Sequence, residues 1–164
     1  MPPIDPPADP SSAFGFLLAE VSRRYVRRFE QRAREVQLTL PTCRVLAYLE
    51  RHPGLSQARL AEFTALEPMA VVRVLDRLQA DGLVERRPDP NDRRVHSVHL
   101  SAAAAPVLAE VKRLAALTRA EIFAGIDPAR RDTFLAVLEQ LRDNLAAGDP
   151  AEAVLPRPTR SPSR

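Results

Sequence analysis

The sequence predicts a mainly α-helical chain with a small β-ribbon, an α+β fold, and three observations lead there. Apolar residues recur at spacings of three and four along most of the chain, the period of amphipathic helices. The seven internal prolines, at 41, 53, 68, 88, 90, 106 and 128, fall in loops or at helix starts, so they bracket elements rather than interrupt them. One stretch switches to period two: Val95, Ser97 and His99 share one face, and His96, Val98 and Leu100 the other.

At 164 residues the chain can hold one domain with a real core, with or without an extension. Residues 1–12 carry five of the 16 prolines, and residues 148–164 carry four more with three arginines and no periodicity. Both ends are expected to be disordered tails, because neither can bury enough surface to offset its ordering entropy. No run approaches the ~18 apolar residues of a membrane span, and the N-terminus lacks the basic and apolar regions of a secretory signal. A cytoplasmic protein without membrane contact is expected. Cys43 is the only cysteine, which excludes a disulfide framework and a cysteine-based zinc cluster within one chain. Neither a Gly-rich phosphate loop nor a constellation for nucleophilic, acid–base or metal catalysis is found, so an enzyme, a cofactor and a metal are not expected.

Within the domain, residues 13–147, the first helix covers Phe14 to Glu35, its apolar stripe formed by Phe14, Leu17, Leu18, Val21, Tyr25 and Phe29. Thr39 is the N-cap candidate for a second helix, Leu40 to His52, with Val45, Leu46 and Leu49 inward. Ser56 caps a third, Gln57 to Thr64, with Leu60, Ala61 and Phe63 inward, and a turn at Ala65-Leu66-Glu67 leads to Pro68. Pro68 opens the fourth helix, which ends near Ala80 before Asp81-Gly82, a typical glycine stop. Leu83 to Arg86 and Val95 to Leu100 then form a two-stranded ribbon around the loop Pro88-Asp89-Pro90-Asn91-Asp92. Ser101 begins a long helix to about Phe123, and Asp127 with Pro128 starts the last, through Leu145. The helices at 13–36 and 102–147 expose more apolar stripe than one protomer can cover, so they are expected to pair with a second copy.

Residues 40–100, helix, turn, helix and ribbon, have the order of a winged helix-turn-helix, which offers a helix to the DNA major groove and a hairpin to the minor groove. Charge alone does not argue for DNA. The whole chain is +3, yet residues 56–100 hold seven arginines and seven acidic residues. Placement has to carry the argument. In the fourth helix Val71, Val74, Leu75 and Leu78 face inward, leaving Met69, Arg73, Asp76 and Ala80 outward and Arg77 at the edge. Arg73 is positioned to read guanine or hold a phosphate. The same pattern also fits an ordinary amphipathic surface helix. Asp76 would repel phosphates unless a cation neutralises it, and Arg93 and Arg94 at the ribbon tip are the candidates.

The segments LTLPTCRVLAYL, SQARLAEF, EPMAVVRVLDRLQADGLVERR, DPNDRR and LSAAA resemble, in order and spacing, the MarR/SlyA family of dimeric bacterial transcription regulators. The resemblance spans roughly Phe14 to Leu145. It implies that Pro68, Met69 and Arg73 meet the major groove, with Arg77 alongside. Ser56 and Gln57 would hold phosphates at the third helix's positive end. Arg93 or Arg94 would enter the minor groove, with Asp76 and Arg94 as the pair bracing the wing. Two positions depart from the family pattern: Cys43 replaces a usual aromatic, and Ala104 a frequent glycine. Members of this branch often bind small aromatic carboxylates, for which Arg23, Arg24 or Arg27 beside Tyr25 would supply the cation; a solvated helix face reads the same arginines equally well.

Cys43 is the candidate for a redox switch, although its apolar neighbours fit an inert core thiol better. His96 and His99 lie on opposite strand faces and cannot share a metal directly. The expected function is a homodimeric regulator, a ligand-responsive repressor, that reads a pseudo-palindromic operator with the 68–80 helix in the major groove and the 86–95 wing in the minor groove of double-stranded DNA. The alternatives are a dimeric helical interaction protein without specific DNA reading and a thiol-based sensor using Cys43.

Overall fold

The computed structural model describes residues 10–88 and 96–147. Among these, six helices and three short strands follow one another as α1 (Phe14–Glu35), α2 (Leu40–Arg51), β1 (Leu55–Ser56), α3 (Gln57–Thr64), α4 (Pro68–Ala80), β2 (Val84–Pro88), β3 (His96–Leu100), α5 (Ala105–Ile122) and α6 (Pro128–Ala146). Single 3-10 turns precede α1 at Pro10–Ala13 and α5 at Ala102–Ala104. Apart from that first turn, the expected tails lie outside the described residues.

Local chemistry sets most boundaries. Thr39 Oγ1 accepts the Thr42 N–H at 3.3 Å, Ser56 Oγ the Arg59 N–H at 3.3 Å, and Asp127 Oδ1 the Ala129 N–H at 2.9 Å, so each satisfies a donor left free by its helix start. Gly82 takes φ +70° after α4, and the Leu83 N–H returns to the Leu78 carbonyl at 2.8 Å. Ser101 does not begin α5 as expected; the helix starts at Ala105. The Ser101 hydroxyl donates instead to the Gly82 carbonyl at 2.6 Å, tying the end of β3 to the end of α4, and the chain makes a 3-10 turn before α5.

The ribbon is a three-stranded antiparallel sheet in the order β1-β3-β2, not two-stranded. Leu55 pairs with Val98, Val84 with Leu100 and Arg86 with Val98. β2 also runs two residues beyond Arg86 to Pro88, where a proline is tolerated because β2 is an edge strand.

Two clusters form the interior. Val45, Leu46, Leu49, Leu60, Val71, Leu75, Leu78, Val84, Val98, Ala104 and Leu108 make the core of the α2–α4 and sheet lobe. Each fully buried Leu or Val contributes about 2 kcal/mol relative to exposure. Phe29, Ala33, Cys43, Val111 and Leu114 form the second cluster, between α1, α2 and α5. α5 runs through both, with Leu108 in the first and Val111 and Leu114 in the second. α1 is further strapped to α5: Arg32 donates to Thr118 Oγ1 at 3.1 Å and to Glu121, and Arg28 pairs with Glu121 at 2.9 Å. These guanidinium groups hold the Glu121 carboxyl below its usual range, so the strap stays charged above that range and is given up as acid protonates Glu121.

α6 has no buried residue at all. Phe134, Leu135, Val137 and Leu145 on α6 and Phe14, Phe16, Leu17, Leu18 and Val21 on α1 are all exposed. Phe63, expected inward, instead lies half-exposed, stacked on Tyr48 at 5.9 Å and tilted against His52 at 5.8 Å, under the Arg59 guanidinium at 5.0 Å.

Candidate nucleic-acid interface

α3 presents its N-terminus beside the outward face of α4. The Ser56 hydroxyl spends its oxygen on the Arg59 N–H and keeps its proton to donate, at the end of the helix where the dipole favours anions. In α4, Val71, Leu75 and Leu78 are buried and Val74 is half-buried, so the helix can turn only one way. Pro68, Met69, Arg73, Asp76, Arg77 and Ala80 are consequently exposed.

The pairing of charges explains how an electrically neutral stretch can still offer a cation. Arg59 pairs with Glu62 at 2.7 Å, Arg86 with Asp76 at 2.6 Å and Arg87 with Glu85 at 3.0 Å. Arg77 reaches Asp81 only at 3.9 Å, a contact worth little in water. Arg73 makes no ion pair or side-chain hydrogen bond among the described residues. It is the outward cation left available at the centre of the helix.

Among the described residues, Asp76 meets an arginine at the base of the wing. Arg86 on β2 donates to Asp76 Oδ1 at 2.6 Å, Gln79 Oε1 at 2.7 Å and Gln57 Oε1 at 3.1 Å. The expected partner, Arg94, and Arg93 with it, lie outside the described residues. Sequence reasoning passed over Arg86, although strand alternation places it on the same side as the buried Val84, where a cation needs partners.

Arg23, Arg24, Tyr25 and Arg27 line one groove of about 770 Å³ with Val21, Arg28, Gln31, Glu121 and Ile122. Arg24 is held by Glu20 at 2.6 Å and Arg28 by Glu121, whereas Arg23 and Arg27 make no ion pair or side-chain hydrogen bond among the described residues.

Cys43 is 2% exposed, and burial pushes its thiol up to about 11. The thiolate, the reactive form, is therefore scarce at neutral pH. Iodoacetamide at pH 8 is expected to leave Cys43 unmodified in the native protein and to modify it fully in denaturant, as read by intact mass. Rapid native labelling would restore the thiol-sensor alternative. Among the described residues no group of three His, Cys, Asp or Glu side chains is arranged to hold a metal ion, and no helix is long and apolar enough to cross a membrane.

Known proteins share this arrangement. The MarR family model matches residues 36–95. Over 80% of its length the chain is similar to the crystal structure of a MarR-family transcriptional regulator from Silicibacter pomeroyi, at 30% identity and a TM-score of 0.70, covering 88% of that chain. It is similar to Bordetella bronchiseptica BpsR, whose DNA binding is regulated by 6-hydroxynicotinic acid, at 28% identity and a TM-score of 0.67, with 84% and 99% of the two chains covered. It is also similar to the transcriptional repressor CouR bound to a 23-mer DNA duplex, at 26% identity and a TM-score of 0.65, covering 83% and 99%. Two helices joined by a tight turn and followed by a β2–β3 hairpin define a DNA-binding winged helix protein. The chain belongs to the MarR family of transcriptional regulators.

Proposed function

We propose that the chain is a homodimeric, ligand-responsive repressor, acting in the cytoplasm, that reads a pseudo-palindromic operator. α4 enters the major groove of each half-site and the 86–95 wing enters the adjacent minor groove. The observation that carries this reading is the outward face of α4, where Arg73 is left available while the neighbouring carboxylate, Asp76, is neutralised by Arg86. In this reading Pro68 and Met69 lie against base edges at the start of α4, and Arg73 reads guanine or holds a phosphate, with Arg77 on the flanking backbone. Ser56 and Gln57 hold phosphates at the N-terminus of α3. Arg93 or Arg94 enters the minor groove, whose narrow width attracts arginine. The exposed stripes of α1 and α6 support pairing with a second copy, which would set the half-site spacing.

The α1 groove supports a small aromatic or phenolic anion as the ligand: Tyr25, Val21 and Ile122 offer apolar walls, and Arg23 and Arg27 offer charge. A ligand that binds one wing separation better than another would shift the dimer between geometries and alter operator affinity.

Titration of promoter fragments at several salt concentrations tests the reading. Arg73→Ala is expected to weaken binding by about 1–3 kcal/mol, and adding Arg93→Ala to weaken it further and lower the salt slope by about one per lost phosphate contact. Unchanged affinity and slope in the double variant would leave the alternative, a dimeric helical interaction protein. Genome-wide mapping of sites bound by the purified protein would give the operator and the regulated genes together.

A further inference from the structure

We infer that Arg86 is the positioning residue of the DNA reader: it locks the wing to both helices of the reading lobe and turns Gln57 so that its amide offers a donor to the phosphate backbone. This rests on the proposed DNA-reading function.

Three separate elements meet at one guanidinium. Arg86 lies on β2, Gln57 is the first residue of α3, and Asp76 and Gln79 lie on α4. The Arg86 side chain is only 20% exposed, so the fork is held among these groups rather than waving in solvent. β2 is an edge strand and, among the described residues, has no strand on its outer side to set its angle. A rigid planar fork with several fixed acceptors supplies that constraint; a lysine, a single point charge on a flexible stem, does not.

The fork also settles the polarity of its neighbours. A guanidinium carries donors only, so the faces of Gln57 and Gln79 turned toward it must be their carbonyl oxygens. The Gln57 NH2 group is thereby turned away from Arg86, at a helix N-terminus where an anion is favoured. Left to rotate, the same amide could present its oxygen, which repels a phosphate. Arg86 acts on Asp76 in the same sense, neutralising the one carboxylate that the outward face of α4 presents between Arg73 and Ala80.

The test uses an operator fragment selected with the wild-type protein, together with Arg86→Lys, Gln57→Ala and Gln57→Glu. Arg86→Lys is expected to unfold at nearly the wild-type temperature and to bind roughly tenfold more weakly, with an unchanged salt slope because no phosphate-contacting charge is removed. Hydroxyl-radical protection of the minor groove beneath the wing is expected to fade, while protection of guanine N7 from dimethyl sulfate beneath α4 persists. Gln57→Glu keeps an acceptor for Arg86 but removes the donor, so it is expected to bind more weakly than Gln57→Ala. The inference is overturned if Arg86→Lys matches the wild type in affinity and in both footprints, if both footprints fade in parallel, or if Gln57→Glu binds no worse than Gln57→Ala. A wild-type protein that binds no promoter fragment overturns the DNA-reading function itself, and this inference with it.

Discussion

Leu17→Asp combined with Leu135→Asp is expected to yield a folded monomer that binds operator fragments about a hundredfold to ten-thousandfold more weakly than the wild type. Leu17 is 61% and Leu135 42% exposed in the protomer, and neither belongs to a core cluster, so two carboxylates there cost the isolated protomer little. They cost an interface much more, because closing it would bury two charges per protomer without partners. Two half-sites held by one dimer bind at the high effective concentration set by the dimer geometry, and a monomer loses that advantage while keeping every contact to its own half-site. Sedimentation equilibrium gives the mass, and anisotropy titration gives the affinity. A variant that remains dimeric with wild-type affinity would place the pairing surface elsewhere than on α1 and α6.

That α1 and α6 keep apolar residues exposed in the protomer was legible from their stripes, because an amphipathic pattern is a local property and the shortage of covering residues can be counted. The starts of α2, α3, α4 and α6 and the stop of α4 were legible for the same reason: Thr39, Ser56, Pro68, Asp127 and Gly82 act through hydrogen bonds or dihedral preferences within one turn. β1 was not legible. Two residues have no periodicity, and Leu55 becomes a strand only because Val98, 43 positions later, offers its backbone. Phe63 misled for a related reason: hydrophobicity says that an aromatic prefers cover, not that Tyr48 and His52 will supply it at the surface. The partner of Asp76 divides in the same way. The need for a cation followed from the face on which Asp76 lies, and the sequence offered Arg93 and Arg94 for it; that Arg86 also reaches Asp76 depends on the pose of the sheet against α4. Period-two alternation brings Arg86 into reach once the inward side of β2 is known from Val84, whereas Arg93 and Arg94 lie outside the described residues.

Leu75→Ala is expected to destabilise the fold by about 3 kcal/mol and to lower the unfolding midpoint by roughly 10 °C. Leu75 is fully buried and is the central anchor of α4, between Val71 and Leu78, one helical face away from Arg73 and Asp76. Its methyl groups fill a core shared with α2, α3 and the sheet, and truncation leaves a cavity that the surrounding helices, capped and crosslinked by the Ser101–Gly82 and Arg86 contacts, cannot easily close. Leu75→Met, which nearly conserves volume, is expected to cost less than about 1.5 kcal/mol. The free energies are measured by urea denaturation and the temperature midpoint by thermal unfolding, all at one fixed protomer concentration, since coupling to dimerisation would otherwise shift the midpoint. At 25 °C most of the Leu75→Ala protein should remain folded, because natural domains hold about 5–15 kcal/mol in reserve. Its operator affinity should therefore fall far less than that of the doubly charged α1–α6 variant, even though Leu75 lies directly beneath the reading face. A loss of stability below about 1 kcal/mol would mean that α4 can settle into the vacated space, and that its seating tolerates movement. An affinity loss as large as that of the monomer would mean instead that the position of α4, and not the dimer, limits binding.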